Sequence, residues 1–300
     1  MYAITGATGN TGNVIVRRLL AAGKRVRAIG RTAERLRPFV DGGAEPFVGD
    51  VADEATLRKA FAGAQAVYAM VPPNNKSSEY RAYQDRVVSA IAAAIRGAGV
   101  RYAVSLSSFG ADKSAGTGPV VGLHHLEQQL NAIDGLNVLH LRAGYFMENT
   151  LGQIGAIKAM GAAAGPLRAD LKLPMIATRD IGEVAADALL GLDFHGRQTR
   201  ELLGQRDITM SDAAAVIGKA IGRPGLTYKQ VPDEQFRSAL TQLGFSTNIA
   251  NLILEMAVAL NSGHMAALEK RSARNTTPTS YETFVAEEFV PRFAATAANR

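Results

Sequence analysis

The chain of 300 residues contains neither cysteine nor tryptophan. Without cysteine there is no disulfide framework, no thiolate metal site and no cysteine nucleophile, which suits a reducing compartment. His140, His195 and His264 are scattered, with no H-E-x-x-H or paired spacing to hold a metal. G-x-S-x-G is missing as well, which argues against acyl transfer. No apolar run approaches the roughly eighteen residues that a bilayer requires, and the apolar run of the first strand begins at residue 2. These features predict a soluble cytoplasmic protein with no leader segment. Aromatic residues make up only 6% of the chain. Lysine and arginine exceed acids by 33 to 27, for a net charge of +6, but they are dispersed and not interleaved with aromatics. A diffuse basic surface is favoured over a nucleic-acid interface. The 47% hydrophobic and 20% charged content is enough for one substantial core, or for a larger and a smaller domain.

What is present is concentrated in the first thirty-one residues. Tyr2 to Thr5 is a short apolar run of the kind shown by a buried parallel strand, and Gly6, Gly9 and Gly12 follow it as G-x-x-G-x-x-G. The first glycine permits a sharp turn, the second a close backbone approach to a pyrophosphate, and the third close packing of helix on sheet. The amides of Asn10 and Thr11 then open a helix whose N-terminus favours an anion. Val14, Ile15, Leu19 and Leu20 supply its apolar stripe, Gly23 ends it, and Val26, Ala28 and Ile29 form a second strand. Strand, glycines and helix in this order read as a dinucleotide-binding unit.

The end of the second strand bears on which dinucleotide. NAD selection usually places Asp or Glu there for the ribose hydroxyls, whereas this chain has Gly30 and Arg31, with Arg35 a turn later. An arginine fork suits a 2′-phosphate, so NADP(H) is expected in preference to NAD(H); the competing reading makes Arg31 a solvated strand-end residue.

Strand and helix signals then alternate through residue 142. Strands are expected at Pro46 to Val48, Gln65 to Val71, Arg101 to Ser107 and Asn137 to Arg142, with helices between them. Such alternation implies right-handed crossovers and a parallel sheet covered on both faces, with ligands beyond the carboxyl ends of its strands. The candidate cofactor residues are therefore Gly6, Thr8, Gly9, Asn10, Thr11, Gly12, Arg31, Asp50, Val51, Val71, Pro72, Ser107, Tyr145 and Phe146. Asp50 can accept from the adenine amino group or cap the next helix. Ser107 can hydrogen-bond a carboxamide or a substrate oxygen, or cap a strand end.

Beyond Asn149 the composition changes. Residues 152 to 167, crowded with Gly and Ala, are expected to be helical; Thr178 to Leu192 is a helix opened by Asp180 and Glu183, and Thr199 to Leu203 a strand. Ser211 is expected to cap a helix to Ile221. Met256, Leu260 and Met265, with Phe236, Leu240 and Phe245, form either ordinary core or a hydrophobic pocket against the nicotinamide, for a hydrophobic or flat substrate.

The stretches GATGNTG, RAIGR, VGDVAD, VSLSS, LRAGYFMEN and RDIGEVAADALL, in this order, resemble the NmrA-like branch of the atypical short-chain dehydrogenase/reductases over essentially the whole chain. The resemblance implies a doubly wound NAD(P)-binding domain, here residues 1–150 with 176–204 returning to it, and a smaller, mainly helical substrate region within 151–300. It also implies that Gly6, Gly9, Asn10, Thr11 and Gly12 hold pyrophosphate, that Arg31 holds the 2′-phosphate and that Asp50 lies near adenine. Ser107 and Tyr145 to Phe146 would flank the nicotinamide.

The chain departs from the wider superfamily in its chemistry. Tyr-x-x-x-Lys, in which lysine lowers the tyrosine pKa for proton transfer, occurs at none of the eight tyrosines. Counting back from Glu127 places Pro119 and Leu123 at those two positions. His124 and His125 lie beside the gap, and an imidazole at His124 is the candidate proton donor; alternatively both rings face solvent, since one residue turns a helical side chain by about 100°. Two functions remain. One is an NADPH-dependent reductase passing hydride to a small hydrophobic or planar acceptor, such as a quinone, that needs orientation and water exclusion more than a strong acid. The other is a redox sensor that binds NADP(H) and acts through a protein partner.

Overall fold

The structure is a computed structural model and describes residues 1–298. Seven parallel strands form its central sheet: β1 (Tyr2–Ile4), β2 (Val26–Gly30), β3 (Glu45–Val48), β4 (Ala66–Ala69), β5 (Tyr102–Ser108), β6 (Asn137–Ala143) and β10 (Arg197–Leu202). Their order is β10-β6-β5-β4-β1-β2-β3. From β1 the chain winds outward in one direction through β2 and β3, then crosses to β4 on the other side. The gap between β1 and β4 is thus the switch point, where ligands of doubly wound sheets lie. The sheet is of the Rossmann type.

Helices cover both faces. On one, α1 (Asn10–Ala21) packs against α7 (Thr178–Gly191), and on the other α3 (Glu54–Phe61), α4 (Tyr80–Gly97) and α5 (Val121–Asn131) pack in succession. The α1–α7 contact is close because Gly182 has no side chain: a Cβ there would stand 2.7 Å from Val14 Cβ and 2.9 Å from the Thr11 carbonyl oxygen. The sequence pattern predicts that Ile181, Val184, Ala188 and Leu189 face the core; Ile181 and Leu189 are buried, Val184 and Ala188 only half-buried, and Ala185 and Ala186 complete the packed face. Asp180 does more than favour a helix dipole. Buried in the first turn, it accepts from the Thr279 amide (3.0 Å) and hydroxyl (2.5 Å), tying the C-terminal segment to the sheet domain.

The remainder is mainly helical, with two small sheets of which only the strand at Tyr228 to Val231 is expected from the sequence. β7 (Tyr145–Phe146), β9 (Leu173–Ile176) and β11 (Asp207–Ile208) form one, and β8 (Ala163–Gly165) pairs with β12 (Tyr228–Gln230) in the other. The helix expected over 152–167 covers only α6 (Gln153–Met160); Gly161, at φ 67°, ends it and the chain turns into β8. Further on, α8 (Met210–Ala220) is capped by Thr209 instead of Ser211, in a reciprocal box with Asp212. Then come α9 (Asp233–Gln242), α10 (Thr247–Ser262), α11 (Tyr281–Phe284), one π-helical turn at Val285–Phe289 and α12 (Val290–Ala298). Tyr281, Phe284 and Phe289 are fully buried at the centre of this region's own core.

Candidate functional site

The glycine turn is built from below. Thr5 donates its hydroxyl to the Tyr68 carbonyl (2.9 Å) and accepts from the Met70 amide (3.0 Å), clamping β1 to β4. Gly6 then takes φ 61°, and a Cβ there would meet the Met70 sulfur at 2.7 Å. Gly9 donates its amide to the Gly6 carbonyl at 2.9 Å. A Cβ at Gly12 would fall 2.2 Å from that same carbonyl oxygen, so helix and turn approach each other only because this position is bare. These contacts follow the packing roles read from the glycine spacing.

Helix α1 begins without help. Gly9 supplies no side-chain cap, and the first turn contains no acid. The amides of Asn10, Thr11 and Gly12 therefore open the helix with its positive end bare and Asn10 exposed. The Thr11 hydroxyl is buried and accepts from the Tyr68 phenol at 2.9 Å, an anchor the motif did not reveal. Burial raises the Tyr68 pKa, so the phenol keeps its proton and remains a donor. Thr8 is half-buried on the turn.

At the end of β2, Arg31 is exposed and has no hydrogen-bond or ion-pair partner among the described residues. Asp50 is also exposed. Its carboxylate accepts from the Ala52 amide (2.9 Å), and the cap of α3 is Asp53 instead, bound to the Ala55 and Thr56 amides. The capping alternative for Asp50 is thereby removed, and Val51 beside it is buried. Tyr83, which the sequence did not single out, lies within electrostatic reach of both groups. It donates to the Pro72 carbonyl (3.0 Å), and its pKa is raised first by burial and then by the Asp50 charge, while Arg31 opposes the rise. Arg31, Asp50, Pro72 and Tyr83 thus belong to one neighbourhood, with Val71 and Pro72 half-buried at its wall.

Ser107 differs from expectation. It is buried and donates its hydroxyl to Glu127 at 2.5 Å, while Arg142 grips the same carboxylate through Nε (2.9 Å) and Nη2 (2.6 Å). With its proton committed to this ion pair, Ser107 has none left to give to a substrate oxygen, while its own oxygen still has lone pairs that can accept. Tyr145 and Phe146 alternate across β7, the first packing on the C-terminal core and the second on the sheet core. Burial pushes the Tyr145 phenol up to about 12.

Neither histidine faces solvent freely. His124 is half-buried and donates Nδ1–H to the Ala111 carbonyl at 2.8 Å, which leaves Nε2 as its free nitrogen. His125 turns away to Asp85 on α4, at 2.8 Å. At the two positions counted back from Glu127, Leu123 packs on the C-terminal core and the Pro119 carbonyl accepts from Gln84 at 2.8 Å. Among the described residues no cluster of acids and histidines could hold a metal, and no helix is long and apolar enough to cross a membrane.

The fold and the motif both have counterparts among known proteins. An NAD(P)H azoreductase of Xenophilus azovorans is 27% identical over 270 residues, covering 89% of this chain and 90% of that one. Quinone oxidoreductase 2 of Escherichia coli strain K12 is 28% identical over 270 residues, 88% of this chain and 89% of its own. The crystal structure of an E. coli NADPH-dependent quinone oxidoreductase complexed with NADPH superposes with a TM-score of 0.79 at 24% identity, over 96% of this chain and 100% of the other. Residues 2–290 match the NmrA-like family, nearly the full length, and the chain belongs to that family.

Proposed function

We propose that the protein is an NADPH-dependent reductase of small, apolar, conjugated acceptors, quinones among them. The bare N-terminus of α1 beside Gly6, Gly9 and Gly12 carries the reading, because its unpaired amides and positive dipole suit a pyrophosphate. The residues present fit a dinucleotide. In this reading Thr8, Asn10 and Thr11 present backbone to the pyrophosphate, Arg31 takes the 2′-phosphate, and Asp50 and Val51 border the adenine. The preference for NADP(H) rests on Arg31, a partnerless guanidinium where an NAD enzyme usually carries an acid. Val71, Pro72, Tyr145 and Phe146 border the nicotinamide and exclude water from it. The azoreductase and the quinone oxidoreductase among its relatives support reduction of a conjugated acceptor.

The cofactor, when bound, supplies the hydride. The chain's part is to orient the acceptor in an apolar setting and to leave its new anion protonated. His124 is the donor assigned here. Because Nδ1–H is bonded to Ala111, only the doubly protonated ring has a proton to give from Nε2. Water can protonate a stabilised hydroquinone anion without it, so His124 assists the reaction and is not indispensable.

The decisive experiment pairs a direct NADPH-binding titration with NADPH oxidation against quinones, enones and aldehydes. Binding with turnover of a conjugated acceptor is expected. Binding without turnover across the panel would overturn the reductase and leave the redox sensor with a protein partner. Undiminished turnover by His124→Ala would remove that residue from the mechanism.

A further inference from the structure

The stretch just past β4 has little backbone of its own to hold it. Val71 is followed by Pro72 and Pro73, neither of which has an N–H to donate, and the ring of Pro73 confines Pro72 to extended conformations. The residues on either side are tied from outside. Before it, the Met70 amide donates to Thr5 at 3.0 Å. After it, the Asn75 carbonyl accepts from the Ser246 amide at 2.8 Å, and the Ser77 carbonyl from the Ser246 hydroxyl. Within the stretch, the Pro72 carbonyl accepts from the Tyr83 phenol at 3.0 Å. A side chain on α4 therefore sets the direction of a carbonyl that two prolines leave without backbone support.

Tyr83 differs from the tyrosine one turn before it. Tyr80 is buried, and its amide donates to Asn248 Oδ1 at 3.0 Å, which anchors the start of α4. The two rings lie 6.0 Å apart, centre to centre, inclined at 41°. Tyr83 itself is only half-buried. Its ring packs on the core cluster of the α3–α4 face, which contains Val51 and Leu57 and on which Ala52 and Val71 also pack. Asp50, next to Val51, acts electrostatically on the phenol, as do Arg31 at the end of β2 and Arg86 one turn along α4. The side chain thus stands where the carboxyl ends of β2, β3 and β4 come together. Burial and the Asp50 charge raise its pKa against the two arginines, so the phenol keeps its proton and remains a donor to Pro72.

An aromatic ring that is packed on one part and open on the rest suits a purine, since every base offers a π-face and a tyrosine has few torsions to immobilise. The phenolic proton is already committed to Pro72. Ring and hydroxyl therefore do separate work. Given the dinucleotide reading, on which this rests, we infer that Tyr83 is a positioning residue of the cofactor cleft: its ring walls the adenine, and its hydroxyl fixes the Pro72 wall at the nicotinamide end. Loss of the ring acts on any ligand that carries the adenine. Loss of the hydroxyl acts only on a ligand long enough to reach Pro72.

The test is calorimetric titration of two ligands into the full-length wild type, Tyr83→Leu and Tyr83→Phe. One ligand is NADPH; the other is adenosine 2′,5′-bisphosphate, which carries the adenine and the 2′-phosphate but no nicotinamide. Wild type is expected to bind both. Tyr83→Leu keeps apolar bulk against the core but has no aromatic face, and it should weaken both ligands by about tenfold, the worth of one base–aromatic contact. Tyr83→Phe should return the bisphosphate to the wild-type affinity and leave NADPH about fivefold weaker, the worth of one hydrogen bond. Circular dichroism checks that both variants are folded. Unchanged bisphosphate affinity in Tyr83→Leu would overturn the role of the ring, and unchanged NADPH affinity in Tyr83→Phe that of the hydroxyl. Equal losses of the two ligands in Tyr83→Phe would overturn the inference as well, because a tyrosine that merely supports the fold does not distinguish a long ligand from a short one. A wild type that binds neither ligand would instead end the dinucleotide reading, and the assignment of Tyr83 with it.

Discussion

Two helix N-termini in this protein are finished in opposite ways. At α8, Thr209 and Asp212 satisfy each other's amides in a capping box, and Asp53 does similar work for α3. At α1 there is neither cap nor acid, only glycine. A helix end with its own polar partners is complete without a ligand. An end left bare beyond the carboxyl edge of a parallel sheet, with an uncommitted arginine on the neighbouring strand, is poised for an anion from outside. In the proposed reading, the difference separates residues that hold the fold from residues that would hold a cofactor, although both kinds occupy equivalent places on their helices.

The sharpest way to break this comparison is Gly12→Ala. Its Cβ would stand 2.2 Å from the Gly6 carbonyl, and backbone cannot give way as a flexible side chain does. Overpacking of this sort costs about 1–3 kcal/mol, and at this position it distorts the turn itself. NADPH affinity is expected to drop by about a hundredfold, the upper end of that cost. A titration with unchanged affinity would show that the turn is not the pyrophosphate site.

Next in size is a contrast in pH dependence. His140 is buried, accepts from the Ser105 hydroxyl at Nδ1 (2.7 Å) and donates from Nε2 to Asn131 (3.0 Å), and burial lowers its pKa to about 4. The native state keeps this ring neutral while the unfolded chain protonates it near pH 6.5, so stability is present above that pH and is lost as pH falls toward 4. The loss is about 3 kcal/mol. Denaturant melts of wild type and His140→Asn at pH 7 and pH 4.5 should show a steeper decline in wild type; parallel declines would refute it. Because this pair lies inside β5 and β6, the loss of stability should not depend on whether NADPH is bound.

Arg31→Ala should weaken NADPH by about tenfold to a hundredfold, the worth of a charge-assisted hydrogen bond, and leave NADH unchanged. Equal affinities for the two cofactors in the wild type would end the argument for NADP(H). The smallest effect is the complement. Thr209→Ala should lower unfolding stability by about 1 kcal/mol with no change in NADPH affinity. A change in affinity would mean that the capped and bare ends are not independent.

Much of the nucleotide half was legible because its signals are local. Tyr2 to Ile4, the three glycines and the Val26 to Gly30 strand each announce themselves within a few residues. The C-terminal region was harder. Strands as short as Tyr145–Phe146 and Asp207–Ile208 have no length over which a period can show, and their partners lie dozens of residues away. Ser107 illustrates the same limit within the site. Its place at a strand end could be read, but its commitment to Glu127 depends on how α5 lies across β5 and β6.

The sequence by itself determined the order of strands and helices through residue 142, the glycine turn, the arginine at the end of β2 and the absence of Tyr-x-x-x-Lys, because each depends on residue type and spacing along the chain. Only the tertiary structure decided that Arg31 and Asp50 share a neighbourhood with Tyr83, that His124 is tied at Nδ1 while His125 turns to Asp85, and that the segment 263–280 is pinned to Glu201 at the end of the sheet. Hydrogen bonds and buried space between distant segments arise from packing in three dimensions, and no local pattern encodes which groups will meet.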